Sequence, residues 1–256
     1  MLTKFDRLSQ FTLGCQTVSA SGTYAGEIHD NVLRPHIHRT AFDEFLHKII
    51  SHLPLLLLKL ITPVFSRWTL PRTFILKKQK PDWDDEFENE KRMYARLSVI
   101  QGSKIPVCFG ETSLDGCRAL VLSDVGRITL CDKPALQRDR DEMGKMIDDA
   151  FWALMKFGVG YGDIKLDNFH LVSSPDGDRI MIVDLEFVEE LDPRRPPERA
   201  TVYSADHLFR YWRDAVESDR REREEELRRL HAVLPTAEQM RRIKEYSRAY
   251  HLANPS

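Results

Sequence analysis

The chain has 256 residues, enough for one large domain or two small lobes around a cleft. Its 38 basic residues nearly cancel its 40 acidic ones, and the resulting net charge of −2 gives no sign of a non-specific nucleic-acid binder. The 42% hydrophobic content supports a packed core. Cys15, Cys108, Cys117 and Cys131 show neither CxxC pairing nor zinc-ligand spacing. With no secretory leader or spanning segment read, they are expected to be reduced thiols in a cytoplasmic or nuclear protein.

In chain order, residues 10–30 are predicted to form a strand, a turn at SGTYAG and a second strand. Residues 31–70 are predicted to hold two helices ending at Pro63 and Pro71. The apolar run IISHLPLLLLKLITPVF (49–65) is interrupted by His52, Pro54, Lys59 and Pro63. That is shorter than the ~20 apolar residues of a spanning helix. It is expected to pack Leu53, Leu56, Leu57, Leu60 and Ile61 against the core, with an interfacial helix as the competing reading and no membrane partner expected.

PRTFILKKQ (71–79) is predicted as a strand, and DEFENEKRMYARLSVI (85–100) as an amphipathic helix with an acidic first turn. Strands around IPVCFGET and CRALVLSDV follow, joined by the turn SLDG. Past Gly126, EMGKMIDDAFWALMKF (142–157) has strong helical periodicity and stops at Gly158 and Gly160. NFHLVSS and RIMIVDL flank a PDGD turn, the pattern of a hairpin. From about residue 200 the chain reads as helix, with Glu224–Arg228 and Glu225–Arg229 spaced for i,i+4 pairs. The plan is a mostly β first half, a connector near 123–127 and a mostly α second half.

The chemistry concentrates in YGDIKLDNF (161–169) and in IMIVDLEFV, whose Asp184 ends an apolar run. Phosphoryl transfer asks a protein for a carboxylate at the attacking hydroxyl, oxygen ligands for magnesium and cations on the phosphates. Asp163 suits the first task, Asn168 and Asp184 the second, and Lys165 the third. Each residue alone reads more simply as a turn cap. Their order and spacing are the signal.

GDIKLDN (162–168) resembles the catalytic loop of the protein-kinase-like superfamily, and IVDLE (182–186) its metal-binding D-F-G segment. ILKK (75–78) is similar to the strand with the phosphate-contacting lysine, followed by a helix carrying Glu90. FILKKQKPDWDDEFENEKRMYARL and RALVLSDVG resemble a group of small fungal kinase-like proteins. The likeness covers roughly residues 70–190.

It implies an α+β, two-lobed kinase-like fold: a mostly β N-lobe over 1–124 with a helical insertion near 31–70, and a reduced, mostly α C-lobe over 125–256. It implies ATP and magnesium as cofactors and an acceptor hydroxyl on a protein or a small molecule. Lys77 would be the ion-pair lysine, with Lys78 the competing register, and Glu90 its partner. Ile75 would face the adenine, and Ser123 and Val125 in the connector would offer backbone groups to its edge. Asp163 would be the catalytic base assisted by Lys165, with Asn168 and Asp184 on the metal.

Departures qualify the likeness. SASGTYAGEI (19–28) offers only Gly22 and Gly26 where G-x-G-x-x-G-x-V is the pattern. Tyr161–Gly162 and Asp184–Leu185–Glu186 replace the usual His–Arg and D-F-G residues, a feature similar to aminoglycoside and choline phosphotransferases. Glu186 is either a further metal ligand or a solvent-facing strand-end residue. No A-P-E motif follows, so regulation by a phosphorylated loop is not expected. A phosphotransferase is the leading expectation; an inactive, nucleotide-binding or scaffolding module is the alternative, and a membrane-peripheral interaction protein a third.

Overall fold

A computed structural model describes residues 4–13, 15–24, 31–50, 52–54, 57, 60–61, 64–65, 68–175, 177–192, 194, 196–233 and 241. Six antiparallel strands form a closed barrel in the order β1-β2-β3-β4-β6-β5. They are β1 (Lys4–Leu13), β2 (Gln16–Tyr24), β3 (Val32–Ile37), β4 (Phe74–Lys78), β5 (Cys108–Leu114) and β6 (Cys117–Ser123). Closure is narrow: Thr12 faces Ser113, and the Thr112 hydroxyl donates to the Thr12 carbonyl at 2.5 Å.

Alternation turns Phe11, Leu13, Val18, Ala20, Leu33, Phe74, Leu76, Leu114 and Val121 into the barrel. Phe11 and Phe74 meet there with ring centroids 5.7 Å apart. Burying each of these side chains other than that of Ala20 contributes roughly 1.5–3 kcal/mol. The tight β5–β6 hairpin carries Asp115 and Gly116 at positive φ (54° and 79°), the paired left-handed conformations of a type I′ turn.

Three expectations change here. The region 31–70 is not purely helical, because β3 occupies its start and pairs with both β2 and β4. β1 ends at Leu13 and β2 starts at Gln16, with a turn at Cys15, so SGTYAG is not the turn between them: Gly22 sits inside β2, opposite Pro35. Gly26 falls outside the described residues. Finally, α1 (Ala41–Ile50) and the run after it do not pack an apolar face inward: Leu53, Leu57 and Leu60 are exposed. Leu56 lies outside the described residues, and Ile61 is half-buried.

α2 (Asp84–Arg96) buries Phe87, Glu90, Met93 and Tyr94 on one face. Beyond the connector come a short α3 (Lys133–Leu136) and α4 (Arg140–Met155). The Asp139 carboxylate caps α4 by accepting from the backbone N–H groups of Asp141 and Glu142. Its apolar face packs Phe151 against Phe169, at a centroid distance of 5.6 Å.

Two small ladders follow, β7 (Val159–Tyr161) with β10 (Val188–Glu190), and β8 (Phe169–Val172) with β9 (Arg179–Ile182). A long helix, α5, spans Pro197–Val233. The chain divides into two compact units, Met1–Tyr211 and Trp212–Ser256. Within the second, Glu225 pairs with Arg229 as expected, whereas Glu224 pairs with Arg220 rather than with Arg228. No helix among the described residues is long and apolar enough to cross a membrane.

Candidate functional site

Alternation along β4 sends Phe74 and Leu76 into the barrel and leaves Ile75 and Lys77 on the opposite face. Lys77 is only 7% exposed there. Its ammonium lies 2.7 Å from Glu90 Oε2, 3.0 Å from Asp184 Oδ1 and 3.0 Å from Glu186 Oε1. Of the lysine doublet, then, it is Lys77 that meets Glu90.

Glu90 arrives from the buried face of α2, and its other oxygen accepts from the Leu185 backbone N–H at 3.4 Å. Glu186 is buried, not solvent-facing, and also holds Lys80 Nζ at 2.8 Å. Lys80 in turn lies 4.2 Å over the Trp83 ring. Buried charges persist only when paired, and removing one partner of such a set costs about 3–5 kcal/mol.

The electrostatics follow from this packing. Burial alone would push Lys77 toward its neutral form, but Glu90, Asp184 and Glu186 outweigh it and hold its pKa above the ordinary lysine value. Burial lifts Glu90 to about 7; Lys77 pulls against that rise, while Asp184 and Glu186 add to it. Burial also opposes ionisation of Asp184, yet the Lys77 charge and the Glu186 backbone N–H keep its pKa below the usual value.

The polar loop is built from β7 onward. Gly162 N–H donates to the Phe187 carbonyl at 3.1 Å, anchoring the loop beside β10. Asp163 Oδ2 accepts from Lys165 Nζ at 2.9 Å and from Asn168 Nδ2 at 3.0 Å. Asn168 also donates to the Asp163 carbonyl at 3.1 Å, and its own carbonyl accepts from Val183 N–H at 3.0 Å. These bonds tie the loop to the strand end that carries Asp184.

A cavity of about 220 Å³ joins the two halves of the site. Ile75, Lys77, Ser123, Val125, Asn168 and Asp184 all line it. Glu90 stands behind Lys77, and Asp163 adjoins through Asn168; neither is in the lining, nor is Lys165. Gly22 is elsewhere, against β3: a Cβ there would fall 2.8 Å from the Arg34 carbonyl oxygen. Its lack of a side chain serves strand pairing.

Sequence reasoning missed Arg34 and His170, which also line the cavity. Arg34 donates to Asp124 Oδ1 at 2.9 Å and to the Gly126 carbonyl at 3.1 Å, and His170 Nδ1 lies 3.1 Å from that same carbonyl. Burial holds the His170 pKa below its ordinary value. Lys80 was missed as well. Its partner Glu186 is 106 positions away, and no local pattern announces such a contact.

No protein-family model and no curated protein matches the chain. Two solved structures of the Mycobacterium tuberculosis PknI kinase domain, a single and a double mutant, are similar to it. The first is 18% identical with a TM-score of 0.40, over 55% of this chain and 64% of that one. The second is 15% identical with a TM-score of 0.45, over 77% of this chain and 78% of that one. The chain thus spans less than two thirds of the first neighbour's length.

Proposed function

We propose that the protein is an ATP- and magnesium-dependent phosphotransferase of the kinase-like, two-lobed kind. Residues 1–124 would be the nucleotide-binding lobe, and the lobe that starts at 125 would carry the catalytic and metal loops. The observation that carries this is the Lys77–Glu90–Asp184 arrangement: a buried ammonium on a barrel strand, clamped by a helix carboxylate and ion-paired with a strand-end aspartate at the wall of a cavity. The closed six-stranded barrel departs from the usual N-terminal lobe of that fold.

In this reading Glu90 positions Lys77 to bind the α- and β-phosphates, with Ile75 against the base and backbone groups of Ser123 and Val125 at its edge. Asp163 accepts the proton of the attacking hydroxyl, and Lys165 offsets charge on the transferring group. The donor chemistry fits magnesium: Asp184 offers carboxylate oxygen and Asn168 an amide oxygen, and both line the cavity. Asn168 and Asp184 would hold the ion, which when bound neutralises charge on the phosphates. The acceptor is a hydroxyl of a protein or a small molecule.

One observation favours a second reading, a nucleotide-binding or scaffolding module without turnover. Gly22 belongs to a strand, so it leaves the phosphate-covering loop without that glycine.

The deciding measurement is thermal melting with ATP, with and without magnesium, on wild type beside Asp184→Asn. A magnesium-dependent rise in Tm, lost in the variant, is expected. An identical magnesium response in both proteins contradicts the metal assignment, and nucleotide stabilisation without phosphate release selects the second reading.

A further inference from the structure

Lys77 meets more carboxylate than one helix clamp requires. Its ammonium has three N–H donors, and Glu90, Asp184 and Glu186 each bring an oxygen within 3.0 Å of it. The three are not equivalent. Asp184 lines the cavity and its side chain is 22% exposed, whereas Glu90 and Glu186 are absent from the lining, at 1% and 7%. A ligand arriving through the cavity therefore meets the lysine on Asp184's side, with the other two carboxylates behind.

Glu186 is also fixed independently of Lys77. Its Oε2 holds Lys80 Nζ at 2.8 Å, and Lys80 rests over the Trp83 ring, which meets the Phe187 ring edge-on at 5.8 Å. The backbone is stitched to α2 as well: Asn89 Nδ2 donates to the Glu186 carbonyl at 2.9 Å, one residue from the Leu185 N–H that donates to Glu90. Glu90 and Glu186 thus sit on two segments joined to each other, and both grip the same ammonium. A group supported by two fixed neighbours keeps its geometry when a third partner leaves.

We propose that Glu186 is a second positioning residue for Lys77, forming with Glu90 a rear clamp, so that only the bond to Asp184 is exchanged when a phosphate oxygen arrives. This rests on the phosphotransferase reading above and adds that the lysine is aimed from the strand-end segment as well as from the helix. Electrostatics alone makes the opposite forecast. Deleting an anion 3.0 Å from the ammonium should strengthen its attraction for a polyphosphate. Positioning and charge are therefore separable by sign.

The test is isothermal titration calorimetry of the full chain with ADP and with adenosine, both without metal, on wild type and Glu186→Ala. Adenosine has no phosphate, so it reports the base end of the cavity alone. The variant is expected to bind ADP at least about tenfold more weakly, the equivalent of one hydrogen bond to a charged group, and to bind adenosine as wild type does. Where the alanine variant does not fold, Glu186→Gln, which keeps the shape, is expected to show the same split at about fivefold or more. ADP affinity that is unchanged or raised overturns the proposal and leaves the phosphotransferase reading standing. So does an equal loss for ADP and adenosine, the mark of a purely structural role. A wild type that binds neither ligand overturns both.

Discussion

Asp163 and Glu90 show how much one side chain's surroundings decide. Asp163 is held by Lys165 and Asn168 just outside the cavity lining, so its removal should touch chemistry rather than nucleotide binding. Asp163→Asn is expected to lower turnover by about 10²–10⁴ with the ATP-induced Tm rise intact; unchanged turnover removes Asp163 from the role of base.

Glu90 makes a pH prediction. Its pKa rises from 4.5 to about 7 on folding, so the folded state holds the extra proton and the associated stability is complete below 4.5. That stability is lost as pH climbs through about 7. Asp184 shifts the other way and Lys77 shifts upward from a value already above this pH window, so the clean comparison is with Glu90→Gln. From about pH 5 to about pH 8, wild type should lose ~1–3 kcal/mol relative to that variant in urea unfolding, and parallel stability curves would exclude a raised Glu90.

At the level of elements, periodic stretches were readable and crowded or long-range ones were not. ENEKRMYAR and MGKMIDDAFWALM announce α2 and α4 by the spacing of their apolar residues, and ILKK and IVDLE mark the strand ends where Lys77 and Asp184 stand. β3 was hidden because NVLRPHIH carries a proline and several polar residues, signs that count against a strand. What admits Pro35 is Gly22 opposite it, which leaves room for the ring's backbone. The run at 49–65 misled because length and hydrophobicity say nothing about which side faces solvent. Gly22→Val therefore belongs to this scale. Its Cβ would meet the Arg34 carbonyl oxygen at 2.8 Å, and a loss of about 1–3 kcal/mol in chemical denaturation is expected. A neutral outcome would mean that β2 and β3 separate without cost.

For the whole molecule, the thiols give a simple count. Cys15, Cys117 and Cys131 are exposed, Cys108 is half-buried, and none is in a disulfide. Native titration with an aromatic disulfide reagent should find three thiols promptly and a fourth after denaturation. Cys131 should be the slowest of the three, because partial desolvation of its sulfur, on a residue exposed overall, and the charge of Asp167 raise its pKa. Fewer than four thiols in denaturant would contradict a fully reduced chain.

The three carboxylates around Lys77 have a consequence for covalent chemistry. An amine reacts with acylating reagents only through its unprotonated lone pair, and this one is kept protonated on every side. Lys77 is thus shielded from amine modification by its own neighbours rather than by burial alone. Whatever draws Asp184 or Glu186 away, a bound cation included, leaves the lysine more nucleophilic than before. A cation bound there without nucleotide would then unmask a reactive group instead of covering one.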